Sequence, residues 1–185
     1  MIDTRFTLFD TALGRCALVW GPAGLRGAHL PAADEPASRR DLQRRFPDAV
    51  EDNDPPPWIG ATITAIRRLF QGEPEPLDTV PLDWSRVGAF DRRVLELTRR
   101  IPPGRTRTYG AVAAELGLPG AAREVGQALG RNPWPIVVPC HRVVGAGGRL
   151  VGFSAPGGTG TKRRMLAIEN ARTSDEPTLF DVAGR

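Results

Sequence analysis

Apolar and polar positions divide the chain into two differently patterned halves. Between residues 5 and 30 the period is near two. Phe6 and Leu8 alternate with polar neighbours, and Cys16-Ala17-Leu18-Val19-Trp20 is a short apolar run. Turn residues at Gly14 and at Gly21-Pro22-Ala23-Gly24 separate these stretches from Leu25 to Leu30. Alternation bounded by Gly and Pro predicts strands, here an antiparallel meander. Ser38 and Asp41 have capping-box spacing, which predicts a short helix to about Phe46. Asp52 to Pro57 is a turn-rich break. Ile59, Ile63, Ile66 and Phe70 then recur at helical spacing within Trp58–Phe70. The acidic, proline-rich stretch Gly72–Pro81 is the expected linker.

The second half carries a helical period. Phe90, Val94, Leu97 and Ile101 form one stripe, which Pro102-Pro103-Gly104 ends. Thr108 is placed to cap a helix from Tyr109 to about Leu116, with Gly117 as its stop. After the Pro119-Gly120 turn, Ala121 to Arg131 reads as another helix, with Ala122, Val125 and Leu129 facing inward. Helix, short glycine-containing turn, helix is the helix-turn-helix pattern. A last helix is expected from about Thr161 to Ala171. The fold class is therefore α+β. An N-terminal α/β domain with a small antiparallel sheet spans 1–80. An all-helical domain with the helix-turn-helix spans 83–171. A polar, flexible tail spans 172–185.

Composition narrows the picture. No apolar run approaches the roughly 20 residues that span a membrane, and the start lacks a signal-peptide pattern, so a cytoplasmic location is expected. Cys16, Cys140, His29 and His141 are too scattered for a zinc site, and no metal or cofactor is expected. The first 85 residues hold nine arginines against thirteen acids, a balance of −4. The rest hold fifteen arginines and one lysine against eight acids, a balance of +8. Genome bias explains arginine over lysine, but not this asymmetry. A basic C-terminal half suits a polyanionic partner.

The candidate chemistry lies in Asn132-Pro133-Trp134-Pro135-Ile136-Val137-Val138-Pro139-Cys140-His141-Arg142-Val143-Val144. Three prolines hold this backbone in a stiff, non-helical path. A cysteine so held cannot easily swing away, and His141 and Arg142 can raise its thiolate fraction. Taken as a bare Cys-His pair, a buried and inert cysteine is the competing reading.

The run Pro139 to Val144, preceded by Asn132-Pro133 and Pro135-Ile136, resembles the active-site signature of the O6-alkylguanine-DNA alkyltransferases. The likeness extends back through Ala121-Ala122-Arg123 and Tyr109-Gly110 to Phe90, and forward to Lys162 and Glu169, so it covers roughly residues 83–171. The N-terminal half resembles the family's variable domain only loosely. The resemblance implies DNA repair by irreversible, single-turnover transfer of an alkyl group from O6-alkylguanine in double-stranded DNA to Cys140. A free thiol has a pKa of about 8.5 and is mostly protonated at neutral pH, so a base is useful. The resemblance assigns that role to His141, acting through water and oriented by Glu169. The residues support an inward Glu169 independently, because it follows Met165 and Leu166 at i+4 and i+3. Its partner, histidine or an arginine, stays open.

The resemblance implies further roles. Tyr109 donates to the guanine ring as charge develops, Asn132 braces the loop, and the Ser154 amide approaches O6. Val143, Val144 and Phe153 join Tyr109 and Ser154 in the alkylguanine pocket. The target base must leave the stack, and Arg123 fills the gap. Small residues beside it, Ala121, Ala122 and Gly126, suit a helix entering a minor groove only about 6 Å wide. A monomer is expected. Phe153 departs from the tyrosine that many members carry, and the Ala155–Thr161 loop bordering the pocket is about two residues longer than the commonest form. The competing functions are a damage-recognition protein, which would lack the cysteine, a DNA-binding regulator, and a cysteine hydrolase. In the tail, Leu179 and Phe180 are read as folding back on the protein's surface rather than docking a replication clamp.

Overall fold

The computed structural model describes residues 3–171. The expectations for residues 172–185, the Leu179-Phe180 pair included, lie outside the described residues. The meander is present. β1 (Arg5–Thr11), β2 (Gly14–Gly21) and β3 (Gly24–His29) pair antiparallel in chain order. Gly24 has a φ of +124°, and a Cβ there would stand 2.7 Å from the Pro81 carbonyl oxygen. Both facts demand glycine. The hydrophobic pattern does not predict a fourth strand, β4 (Val50–Glu51), which lies parallel to β1 and makes the sheet mixed. Two exposed residues carry too little alternation to signal a strand.

Alternation along β2 sends its side chains to two different cores. Cys16, Leu18 and Trp20 face Ile59, Ile63 and Ile66 of α2 (Pro57–Leu69). Ala17 and Val19 face Leu42 of α1 (Glu35–Arg45), with Phe6, Leu8 and Phe46 around them. The sheet therefore lies between the two helices. Ser38 does not cap α1. Asp34 does, accepting from the Ala37 amide at 2.6 Å, and Ser38 is buried inside the helix. Pro36 fits the first turn, where its missing N–H removes no helical bond.

The second half holds α3 (Ala89–Arg99), α4 (Tyr109–Glu115), α5 (Ala122–Gly130) and α6 (Gly158–Ile168). Thr108 caps α4, its hydroxyl accepting from the Ala111 amide at 3.1 Å. Gly117, with a φ of +76°, ends that helix, and the Leu118 amide bonds the Ala113 carbonyl. This half is not all helical. β5 (Arg107–Thr108) and β6 (Val143–Val144) form a short parallel ladder, which ties the start of α4 to the residues after Cys140. The last helix starts earlier than Thr161 because the glycine-rich loop itself forms its first turn. It stops before Ala171 because Asn170, with a φ of 49°, turns the chain and lets the Ala171 amide bond Leu166.

The expected linker is not slack. Leu77 and Val80 are buried, and Arg99 Nη2 donates to both their carbonyls. The halves share one core, and Trp134 is its cross-piece. This residue is wholly buried, its Nε1 donates to the Leu25 carbonyl at 2.7 Å, and its ring meets Trp84 edge to face at 4.8 Å. Beside it the Ala28 amide donates to the Pro133 carbonyl at 3.0 Å. Edge strand β3 thus clamps the segment that carries Cys140. Trp134→Ala removes a large buried ring and should cost about 3–5 kcal/mol of stability, read by urea unfolding. A loss below about 1 kcal/mol, well under that range, would show that the clamp is dispensable.

Candidate active site

Asn132 closes the loop before the cysteine on itself. Its Nδ2 donates to the Val138 carbonyl at 2.9 Å and its Oδ1 accepts from the Trp134 amide at 3.0 Å. Between them Ile136 is buried with a φ of 81°. That region is unfavourable for a β-branched residue by about 1–3 kcal/mol. Packing of Ile136, Val137 and Val138 into the core holds it there. The loop delivers Cys140 to the head of a single helical turn, Cys140–Arg142. The half-buried cysteine opens onto a cavity of about 560 Å³. Tyr109, Arg123, Gly126, Val151, Phe153 and Ser154 are among its walls.

Behind the turn lies a buried ionic cluster. His141 Nε2 is 2.9 Å from Glu169 Oε1. Arg142 Nε and Nη2 donate to the same carboxylate at 2.9 and 2.8 Å. Arg142 Nη1 donates to the Ile101 carbonyl. Glu169 therefore serves both of the partners that the sequence leaves open. Burial alone would raise its carboxyl, but the bonds and charges of His141 and Arg142 outweigh that and hold it at about 2. Burial pushes His141 down against the pull of Glu169, so its ring is neutral near pH 7. A neutral imidazole facing a carboxylate keeps its proton on Nε2. Nδ1 is then the acceptor, and it is buried without a hydrogen-bond partner among the described residues.

Burial pushes the Cys140 thiol up, while the hydrogen bond with Asn132 and the charge of Lys162 oppose that shift. The resting sulfur is thus a thiol, and a base is needed when it reacts. Arg142, expected to favour the thiolate, is committed to Glu169 and Ile101, because a buried guanidinium needs its donors satisfied. The cation acting on the thiol is Lys162. It is wholly buried, and its Nζ donates to the carbonyls of Val143 at 2.6 Å and Val151 at 3.2 Å and to the Tyr109 hydroxyl at 3.4 Å. Burial lowers it to about 8, with Cys140 pulling the other way. Two signals point to it in the sequence. It is the only lysine, and it extends the inner stripe of Met165, Leu166 and Glu169 back by one turn.

Tyr109 donates its hydroxyl to the Val151 carbonyl at 3.1 Å. Burial, then the charge of Cys140, raises the phenol, so it keeps its proton. A Cβ on Gly126 would lie 3.7 Å from the Tyr109 ring, so glycine keeps that side of the cavity open. Ala122 also lines it, and Arg123 stands exposed at its rim. Ala121 lies just before α5, half-buried and off the wall. Ser154 is exposed and donates to the Gly130 carbonyl at 3.2 Å. Val143 and Val144, expected in the pocket, do not line it. Their side chains are buried in β6, and only the Val143 carbonyl reaches the site, through Lys162. Of the long loop, Ala155 and Pro156 border a second cavity, and residues from Gly158 onward belong to α6. Cys16 is buried, and desolvation raises its thiol to about 12.

A rigidly held thiol, a neutral histidine oriented by a buried carboxylate, and an open cavity define a cysteine-dependent group-acceptor protein. The family model described as 6-O-methylguanine DNA methyltransferase, DNA binding domain, matches residues 89–171. The methylated-DNA–protein-cysteine methyltransferase of Mycobacterium bovis is 45% identical over 128 residues, covering 69% of this chain and 74% of the relative. The chain belongs to the methylated-DNA–protein-cysteine methyltransferase family. The Salmonella typhimurium member is 51% identical over 111 residues, 60% of this chain and 63% of the relative. The crystal structure of the Mycobacterium tuberculosis protein in complex with DNA superimposes with a TM-score of 0.73 at 33% identity, covering 96% of this chain and 99% of that one.

The depressed Glu169 carboxyl makes a stability prediction. Its ordinary value is 4.5 and its folded value about 2, so its stabilisation is complete above the first and lost as pH falls toward the second. The stability gap between wild type and Glu169→Gln should be constant from neutral pH down to about 4.5, then close toward about 2. A gap independent of pH throughout would contradict the ionised carboxylate.

Proposed function

We propose that Cys140 accepts an alkyl group from O6 of a damaged guanine in double-stranded DNA, one group per protein molecule. The observation that carries this reading is the neutral His141, oriented by ionised Glu169 and holding a free Nδ1 behind a thiol that opens onto a base-sized cavity. In the reaction the Sγ–C bond forms as the C–O6 bond breaks. The thiol proton passes to His141 Nδ1 through a bridging water. The bond pair moves onto guanine, where the Tyr109 hydroxyl turns its proton from the Val151 carbonyl to the ring as negative charge develops. Guanine departs as its N1 anion and takes one proton at N1 from solvent, while His141 returns the thiol proton to solvent, so the base leaves neutral and the histidine is neutral again. Lys162 supports the transient thiolate and holds the Tyr109 hydroxyl. A thioether has no acidic proton and is a poor leaving group, so the protein is consumed.

The target carbon is out of reach in a stacked duplex, and the base must be flipped. Arg123, at the cavity rim with its side chain exposed, is the residue we assign to the gap it leaves. The small faces of Ala121, Ala122 and Gly126 suit close approach of α5 to the minor groove, with α4 and α5 acting as the helix-turn-helix. The protein works as a monomer, and a cytoplasmic location fits a substrate carried in DNA. Residues 1–80 act as the brace for the Cys140 loop.

Cys140→Ala should abolish transfer, by at least about a thousandfold as expected for a lost nucleophile, while duplex binding persists in a mobility-shift assay. Residual transfer would refute the assignment. Arg123→Ala should slow repair of duplex DNA by about tenfold or more, the scale of a few kcal/mol of unstacking. The same variant should leave reaction with free O6-benzylguanine near wild type, since the free base needs no flipping. Equal losses on both substrates would make Arg123 structural.

A further inference from the structure

A second cavity of about 500 Å³ also reaches Cys140, and its far wall belongs to the other half of the chain. It shares Leu129, Gly130, Phe153 and Ser154 with the first cavity. From there it runs past Pro135 and Pro156 to α1, where Asp41, Arg44 and Arg45 line it. It lies between the halves, so no element of the Cys140 domain alone creates it.

The geometry of displacement gives this cavity a use. Sulfur attacks in line with the departing O6. The other substituents of the attacked carbon then lie in the plane across that line. A methyl group needs no room there, but any longer chain must leave sideways from the sulfur. The second cavity supplies that sideways space, since it meets the first at the cysteine.

Its polar end has a sign. Among the described residues lining it, one carboxylate, Asp41, faces the guanidinium groups of Arg44, Arg45 and Arg131. Arg131 is satisfied elsewhere, in a two-bond pair with Asp91 at 2.7 and 2.8 Å. Asp41 is shared three ways: with Arg44, with His29 Nδ1 at 3.2 Å and with Arg45 at 3.9 Å. Burial pushes the His29 ring down to about 4, so it adds no positive charge at neutral pH. Two arginines therefore compete for one carboxylate, and among the described residues Arg45 has the long contact to it and a place over the face of the Phe46 ring, 5.9 Å from its centroid. The end wall carries surplus positive charge, with guanidinium donors that Asp41 does not pair and that face the solvent-filled cavity.

We propose that the cavity between the halves receives the distal part of long O6-alkyl adducts, and that Arg44 and Arg45 select those ending in a carboxylate. This rests on the reading of Cys140 as the alkyl acceptor. A carboxylate-ended chain would take donors that Asp41 leaves unused, while a neutral chain of equal length would gain only the apolar stretch at Pro135, Phe153 and Pro156.

The test compares single-turnover rates on duplexes carrying O6-methylguanine, O6-butylguanine and O6-(3-carboxypropyl)guanine. Wild type should remove the carboxypropyl group about tenfold faster than butyl, the scale of one hydrogen bond to a charged group. The double variant Arg44→Ala, Arg45→Gln should erase that advantage and leave methyl transfer unchanged. Arg44→Glu, at a more exposed position, should reverse the preference without a change in fold. A parallel fall on all three substrates would make the arginines DNA contacts or structural residues and overturn the proposal. So would an unchanged carboxypropyl rate. Absence of methyl transfer by wild type would instead overturn the acceptor reading beneath it.

Discussion

One buried carboxylate organises the second half of this protein. Glu169 comes from the end of α6, His141 and Arg142 from the turn that begins with Cys140, and the Ile101 carbonyl from the chain just after α3. Arg142 bridges the last two and Glu169 the first two, so three segments distant in sequence are fixed to one another. An unpaired charge here would be costly, since burial penalises it by several kcal/mol. The ion pair thus enforces its own geometry. The same charge that stabilises the turn keeps the His141 proton on Nε2 and leaves Nδ1 to act. Structure and chemistry draw on a single interaction, so a change at Glu169 alters both.

The rest of the molecule keeps the thiol from moving relative to that cluster. Asn132 closes the loop, Ile136 accepts an unfavourable backbone conformation inside it, and Trp134 pins it to β3. Such strain persists only where surrounding packing over-determines the backbone. The N-terminal sheet and its two helices supply that packing, which explains why the first half carries no candidate catalytic group yet shares one core with the second. Rigidity also serves a reaction in which sulfur must line up with a bond to be broken, where small misplacements are expensive.

Much of this was legible in the residues, and the failures have physical causes. The meander, the α2 and α3 stripes and the Thr108 cap follow from periodicity and turn chemistry, which are local. The two-residue strands β4 and β5–β6 are set by tertiary pairing and leave no periodic trace. Ser38 looked like a cap because its spacing to Asp41 fits, but Asp34 lies where Pro36 can occupy the first turn. Gly72–Pro81 reads as a linker by composition, yet Leu77 and Val80 are enough to anchor it. At the site, Cys140, His141, Asn132 and an inward Glu169 were visible from sequence. That Arg142 turns away from the thiol and Lys162 acts on it depends on which carbonyls and carboxylates a buried cation can reach, and that is a property of the folded chain alone. Val143 and Val144 illustrate the converse. They adjoin the reactive residues in sequence, but strand pairing turns their side chains into the core.

The central claim is that the thiol held by this cluster, and no other group, receives the alkyl carbon. Its most direct test is peptide mapping by mass spectrometry after wild-type protein meets excess DNA containing O6-methylguanine. The account predicts one added methyl per molecule, on the peptide containing Cys140, with the Cys16 peptide unmodified and no return of free Cys140 on standing. A methyl on Cys16, or continued loss of O6-methylguanine beyond one equivalent of protein, would contradict it.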